Sequence, residues 1–239
     1  MDIEEAFRTI NAQVSDGDVD ACFYPYKELK HTWRARNGRL AFRISDYMRG
    51  SPDDVLESAA WFLTCRARGE ECPKSFSSRY LEHVRSAEFW SNCRPLYISR
   101  ARNLSFKPIG NARDLNAAFE SVRLCHFRGG LEKPDLAWAR ESPSRRIAFL
   151  HQPLKVLAVN RTLDSEMIPT FVLEFVIYHE LLHAVMGCQA YPDRRVYHTN
   201  EFRARERQFA KHDEARRWLA RIAVASEGGA SLKGVVPQV

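Results

Sequence analysis

Val176-Ile177-Tyr178-His179-Glu180-Leu181-Leu182-His183-Ala184-Val185 reads as an apolar helix in which Glu180 is the single charge. Residues four apart on a helix share a face, so His179 and His183 can direct two imidazoles at one point. Glu180, the next residue along, can reach a water held at that point. Two neutral nitrogen ligands, an open coordination position and a carboxylate to take a proton are what a zinc hydrolase requires. Phe171, Val172, Leu173, Phe175, Val176 and Ile177 lead into the motif, so the helix is expected to be buried. A buried glutamate between two histidines is costly without a metal or a shared proton. The plainer alternative is a core helix with two satisfied histidines and an ion-paired glutamate.

Working outward, Gly187 is placed to end the helix, and the segment Cys188-Gln189-Ala190-Tyr191-Pro192-Asp193 leads to Tyr197-His198-Thr199-Asn200-Glu201-Phe202. Thr199 or Asn200 can cap a second helix carrying Glu201, Phe202, Arg205 and Phe209. His198, at the mouth of that helix, is the favoured third ligand. Glu201 is the alternative, since a carboxylate from a following helix also completes such sites. Cys188 is a further candidate, against its reading as a small buried residue at a helix end.

Other segments follow in a recognisable order. Asp114-Leu115-Asn116-Ala117-Ala118-Phe119 starts a helix, and His126-Phe127-Arg128-Gly129-Gly130-Leu131-Glu132-Lys133-Pro134 forms a Gly-Gly turn. Three short apolar segments, Leu163-Asp164, the histidine helix and His198-Thr199-Asn200-Glu201-Phe202 come after it. From about Asn111 to Leu219 the chain resembles the SprT-like metalloprotease domain, the family that includes Spartan-type proteases. It departs from that pattern at Thr199-Asn200, where the family has Gly-Pro, at Ala148, where a strand glycine is common, and at Glu132, where a proline is usual. The six cysteines, at 22, 65, 72, 93, 125 and 188, form no CxxC pair, so DNA contact through the zinc ribbon of many SprT-like proteins is not expected of this chain.

The resemblance implies an α+β, zincin-like fold of the minimal gluzincin type, with the HExxH helix beside a small antiparallel sheet. It also implies a zinc endopeptidase acting on protein or peptide substrates, including proteins associated with or crosslinked to DNA. One Zn2+ per chain would be held by His179, His183 and His198, with Glu180 as the catalytic base. Tyr191 and Tyr197 are candidates to stabilise the oxyanion or support the ligands. The competing function is a non-catalytic module in which zinc is structural and the basic surface binds nucleic acid or protein.

The strands read independently of the resemblance. Asp135–Ala139, Arg146–Leu150 and Val156–Asn160 are bounded by Pro134, Ser142-Pro143-Ser144 and Gln152-Pro153. A substrate strand could pair with the edge of the sheet they form.

Residues 1–110 are expected to be an α+β extension. His31–Ile44 reads as a hairpin turning at Asn37-Gly38, followed by a helix from Ser51 towards Gly69 and another from Ser78 to about Phe89. The joint at 92–109, with Pro95 and Pro108, marks the expected boundary; the metalloprotease region is then 111–224, with a disordered tail at 225–239. Arg34, Arg36, Arg39 and Arg43 interleave with Trp33 and Phe42 as a candidate nucleic-acid contact. A second basic set, from Arg203 to Arg221, alternates with Glu201, Glu206, Asp213 and Glu214 and reads as a solvated helix face. The 239 residues carry a net charge of +6 and a pI near 9.1. That balance suits an anionic partner. No membrane contact is expected, and scattered cysteines suit a reducing cytoplasm.

Overall fold

In the computed structural model, residues 2–14, 17–140, 146–187, 189–190 and 195–227 are described. The chain is α+β and divides into two units, Met1–Ala101 and Arg102–Val239. The division comes ahead of the expected break at 110 because Leu104 and Ser105 pair with Ala139 and Trp138 in the second unit.

The first unit begins with α1 (Ile3–Val14), β1 (Val19–Tyr24), β2 (Thr32–Arg36) and β3 (Arg39–Ser45). β3 is central, parallel to β1 and antiparallel to β2. Asn37 and Gly38 both have positive φ, 50° and 76°, as a two-residue turn of the expected kind requires. Alternation then sorts the side chains. Leu40, Phe42 and Ile44 are buried, with the ring of Phe7 in α1 tilted against that of Phe42, centroids 4.6 Å apart. Arg34, Arg36, Arg39 and Arg43 share the opposite, exposed face.

Three helices complete this unit: α2 (Asp53–Arg68), α3 (Lys74–Arg85) and α4 (Ala87–Arg100). Gly69 closes α2 in the left-handed conformation. The helix expected to end near Phe89 is two helices instead. Ser86 caps the second through the Phe89 N–H, and the helix runs on through Pro95. An interior proline costs about 3 kcal/mol; burial of Phe89, Trp90, Cys93 and Tyr97 along α4 offsets it.

The second unit holds β4 (Leu104–Ser105), α5 (Leu115–Phe127), β5 (Asp135–Ala139), β6 (Ala148–His151), β7 (Val156–Asn160), α6 (Thr170–Met186), β8 (Gln189–Ala190), β9 (Arg195–Val196), α7 (Asn200–Glu206) and α8 (His212–Glu227). The strand order is β4-β5-β7-β6. The sheet is mixed, not antiparallel as expected: β5 runs parallel to β7, while β6 and β4 pair antiparallel to their neighbours. The physical reason is burial. The all-apolar Val156–Val159 segment takes the central position, wholly buried. β6 therefore hairpins onto one edge of β7, and β5 takes its other edge in the parallel sense.

α6 lies against β6, α5, α7 and α8, and its apolar residues join the core around Trp138, Phe119 and Phe202. Before it, the Asp164 carboxylate accepts the N–H groups of Asn111, Ala112 and Arg113 at 2.8, 2.9 and 3.0 Å. This clamp ties the start of α5 to the start of α6. After it, Gly187 ends the helix with φ 63° and ψ −145°. The following helix expected to reach Phe209 stops at Glu206; Phe209 lies in the turn before α8, still buried. α8 continues to Glu227, so residues 225–227 are helical, and the rest of the expected tail, 228–239, lies outside the described residues.

Among the described residues no helix is long and apolar enough to cross a membrane.

Candidate metal centre

α6 delivers His179 and His183 from one face, one turn apart, and His198 arrives from the residue before the α7 cap. Thr199 fixes that approach: its hydroxyl accepts the Phe202 N–H at 3.1 Å and caps α7. Tyr178 binds the two helices together through its hydroxyl, which donates to the Arg205 carbonyl at 2.7 Å.

The result is a convergence of ring nitrogens. Nε2 of His179 lies 3.2 Å from Nε2 of His183 and 3.4 Å from Nε2 of His198. The three residues form a group that could hold a metal ion, with all ligand atoms within 4.8 Å of one another. For a tetrahedral zinc with Zn–N bonds of about 2.0–2.1 Å, ligand nitrogens stand about 3.3 Å apart. The donor set fits such an ion.

The tautomers fit as well. Nδ1 of His179 meets the Glu206 carboxylate at 2.6 Å. A carboxylate accepts, so Nδ1 carries the proton and Nε2 presents its lone pair to the other two rings. Burial, and then the neighbouring imidazoles, push the His183 pKa down to about 3, and burial with His179 lowers that of His198. Both rings are therefore neutral at ordinary pH, the form that binds metal. A neutral imidazole carries one lone pair, which His183 and His198 can turn on a shared cation when their proton sits on the other nitrogen.

Phe202 walls the cluster. Its ring lies 4.7 Å from His183, 4.9 Å from His198 and 5.3 Å from His179, and it is fully buried. An apolar wall lowers the local dielectric and strengthens charge interactions.

Glu180 reaches the sheet beside α6. Its Oε2 accepts the Leu150 N–H of the edge strand β6 at 3.0 Å. Burial raises its pKa; His179, the Leu150 N–H and Arg146 oppose that rise without cancelling it. A carboxyl shifted upward is readied to accept a proton. Gln152, just past β6, donates from Nε2 to the His183 carbonyl at 2.6 Å, so the sheet edge and the helix are tied at two points.

Of the other candidates, Tyr197 is half-buried with its ring 6.1 Å from that of His183. Tyr191 and Cys188 lie outside the described residues. Glu201 is exposed and is not in the histidine group. The four hairpin arginines belong to the first unit. Arg39 there pairs with Asp20 at 2.6 Å, and Arg43 lies over the Tyr24 ring at 4.8 Å.

Glu206 was missed by the sequence reading, which placed it on a solvated face. It is 6 % exposed. Burial would raise its pKa, yet the hydrogen bond and charge of His179, with Arg216 and His212, hold it below the usual carboxylate range. The signal was present: Phe202, Glu206 and Phe209 stand at i, i+4 and i+7, which puts this glutamate on an apolar stripe. Gln152 offered no comparable signal.

No family model, no curated protein and no solved structure matches this chain.

Proposed function

We propose that the chain is a zinc-dependent endopeptidase of the SprT-like kind, with Zn2+ held by His179, His183 and His198. The reading is carried by one observation: three imidazole Nε2 atoms converge at metal-ligand spacing beside a buried glutamate that bridges to a sheet edge. Bound Zn2+ would supply Lewis-acid polarisation of a peptide carbonyl and make water more acidic. Glu180 takes the proton of the attacking water and delivers it to the leaving amine, so that peptide and water become acid and amine. Leu150 holds Oε2, which leaves Oε1 for that proton. Glu206 keeps His179 in the ligating tautomer. The edge of β6 offers backbone groups to an extended substrate, and proteins bound or crosslinked to DNA are the substrate class that the resemblance implies.

A second reading is supported by the first unit: an exposed sheet face with four arginines suits a non-catalytic module that binds phosphates. Elemental analysis and a protein-cleavage assay separate the two. The native protein should carry one zinc per chain, with His198→Ala losing it. Glu180→Gln should keep zinc while cleavage falls about 10²–10⁴-fold. Oligonucleotide binding untouched by Glu180→Gln, with no cleavage by the zinc-loaded native protein, would favour the second reading. Carefully prepared native protein without zinc would sink the endopeptidase reading.

A further inference from the structure

A cavity of about 190 Å³ opens between β6 and α6. Leu131, Pro134, Leu150, Leu181 and Ala184 line it. Three of these connect to the metal centre. Leu150 gives its N–H to Glu180, and Leu181 and Ala184 follow Glu180 and His183 directly in the sequence. Successive residues on a helix are about 100° apart. His179 and His183 therefore mark one side of α6, Leu181 and Ala184 the cavity side, and Glu180 lies between them. Gln152 stands at the same junction, lining the cavity while donating to the His183 carbonyl.

We propose that this cavity is a specificity pocket that receives an apolar side chain, of leucine, methionine or phenylalanine size, from the substrate residue flanking the cut bond. The inference rests on the endopeptidase reading and adds to it the class of sequence cleaved. Three observations support it. The size is right, because an apolar cavity of about 150 Å³ already accepts benzene. The chemistry is right, because aliphatic residues make up most of the lining and the two charged residues that share it cancel: Lys155 Nζ holds both oxygens of Glu132, at 2.9 and 2.7 Å. No unpaired charge is left at the mouth to draw an acidic or basic side chain. The position is right, because among the described residues β6 is the terminal strand of its sheet. Glu180 joins this strand to the metal centre, since it follows His179 in the chain and its carboxylate accepts the N–H of Leu150, which lines the cavity.

Lys155 adds a detail of construction. It sits in the tight β6–β7 connection with φ 52°, a left-handed conformation that strains a non-glycine residue. A glycine would relieve the strain but would remove the ammonium that neutralises Glu132.

The test uses the zinc-loaded full chain in two assays. In the first, a peptide mixture is digested and the cut sites are read by mass spectrometry. Leucine, methionine or phenylalanine should dominate one fixed position beside the cut, with kcat/KM for leucine over alanine there of about 10–100-fold. Ala184 is exposed on its helix, so Ala184→Leu extends into the cavity rather than into the core. In that variant the leucine-to-alanine ratio should fall to below about threefold. In the second assay, methyl NMR signals of Leu131, Leu150 and Leu181 are followed during titration with N-acetyl-leucinamide. They should shift in the native protein, and neither in Ala184→Leu nor with N-acetyl-alaninamide. Cleavage without preference, together with unmoved methyl signals, would overturn the pocket and leave the endopeptidase reading standing. Methyl shifts without any cleavage would keep an apolar side-chain pocket and overturn the endopeptidase reading. Neither cleavage nor shifts would overturn both.

Discussion

Glu206 touches no ligating nitrogen, yet it sets the direction of one. Its carboxylate fixes the proton of His179 on Nδ1 and leaves Nε2 free to bind. Partners of this kind typically account for 10–100-fold in metal affinity. If the proposed zinc is held there, Glu206→Ala should weaken its binding by about that factor, read by competition with a chelator, and Glu206→Gln by less because its amide oxygen still accepts. Unchanged affinity in Glu206→Ala would reduce the residue to an ion-pair partner of Arg216 and His212. His179, Glu180, His183 and His198 were legible in the sequence because helical spacing and a capping threonine say where such side chains go. Glu206 was harder to read. A glutamate among arginines looks solvated until Phe202 and Phe209 are known to face inward.

At the scale of elements, the Asp164 clamp matters most to the geometry of α6. Its side chain is 1 % exposed. Burial would raise its pKa, but three backbone N–H donors and Arg161 hold it below the ordinary value. Hydrogen bonds to a charged group contribute about 1.5–3 kcal/mol each and do not simply add. Asp164→Ala should cost about 3 kcal/mol in a denaturant titration, a loss within the range of a broken buried network. A Cβ on Gly110 would meet that carboxylate at 2.4–2.5 Å, so Gly110→Ala should be destabilising too. A Gly110→Ala variant as stable as the native protein would mean that the clamp yields freely. The spans of β5 and β7 were legible from apolar runs between prolines and a serine-rich break. The order of the sheet was not. Which edge of β7 each neighbour takes depends on long-range burial, and no local pattern records it. Pro95 misled for the same reason: a strong local breaker is overruled by the aromatic residues that α4 buries.

Considered as a whole, the molecule carries a pH dependence in its first unit that needs no metal. The Ser45 N–H donates to Nδ1 of His31 at 3.1 Å, so the ring proton sits on Nε2 and is directed at the Tyr80 hydroxyl, 2.9 Å away. Protonating Nδ1 would set donor against donor. Burial lowers the His31 pKa from 6.5 to about 4. Between those values the unfolded chain binds a proton that the folded unit refuses, so stability rises with pH. The contribution is present above pH 6.5, declines as the pH falls and is gone below about 4, amounting to at most ~3 kcal/mol. Hydrogen exchange at the Phe42 and Ile44 amides should speed up between pH 7 and 5, after correction for intrinsic rates. His31→Gln should flatten that trend; an unaltered trend would assign the effect to other groups, His83 among them. The spacing of the metal centre has a consequence of a different kind, for the order of assembly. His179 and Glu206 are 27 positions apart, whereas the Asp164 clamp reaches across 53. Ring closure becomes costlier by about 0.6 kcal/mol for each doubling of length, and short-range contacts form fastest. The shorter loop is the cheaper to close, so an incoming cation can find its ligands gathered while distant parts of the chain are still searching.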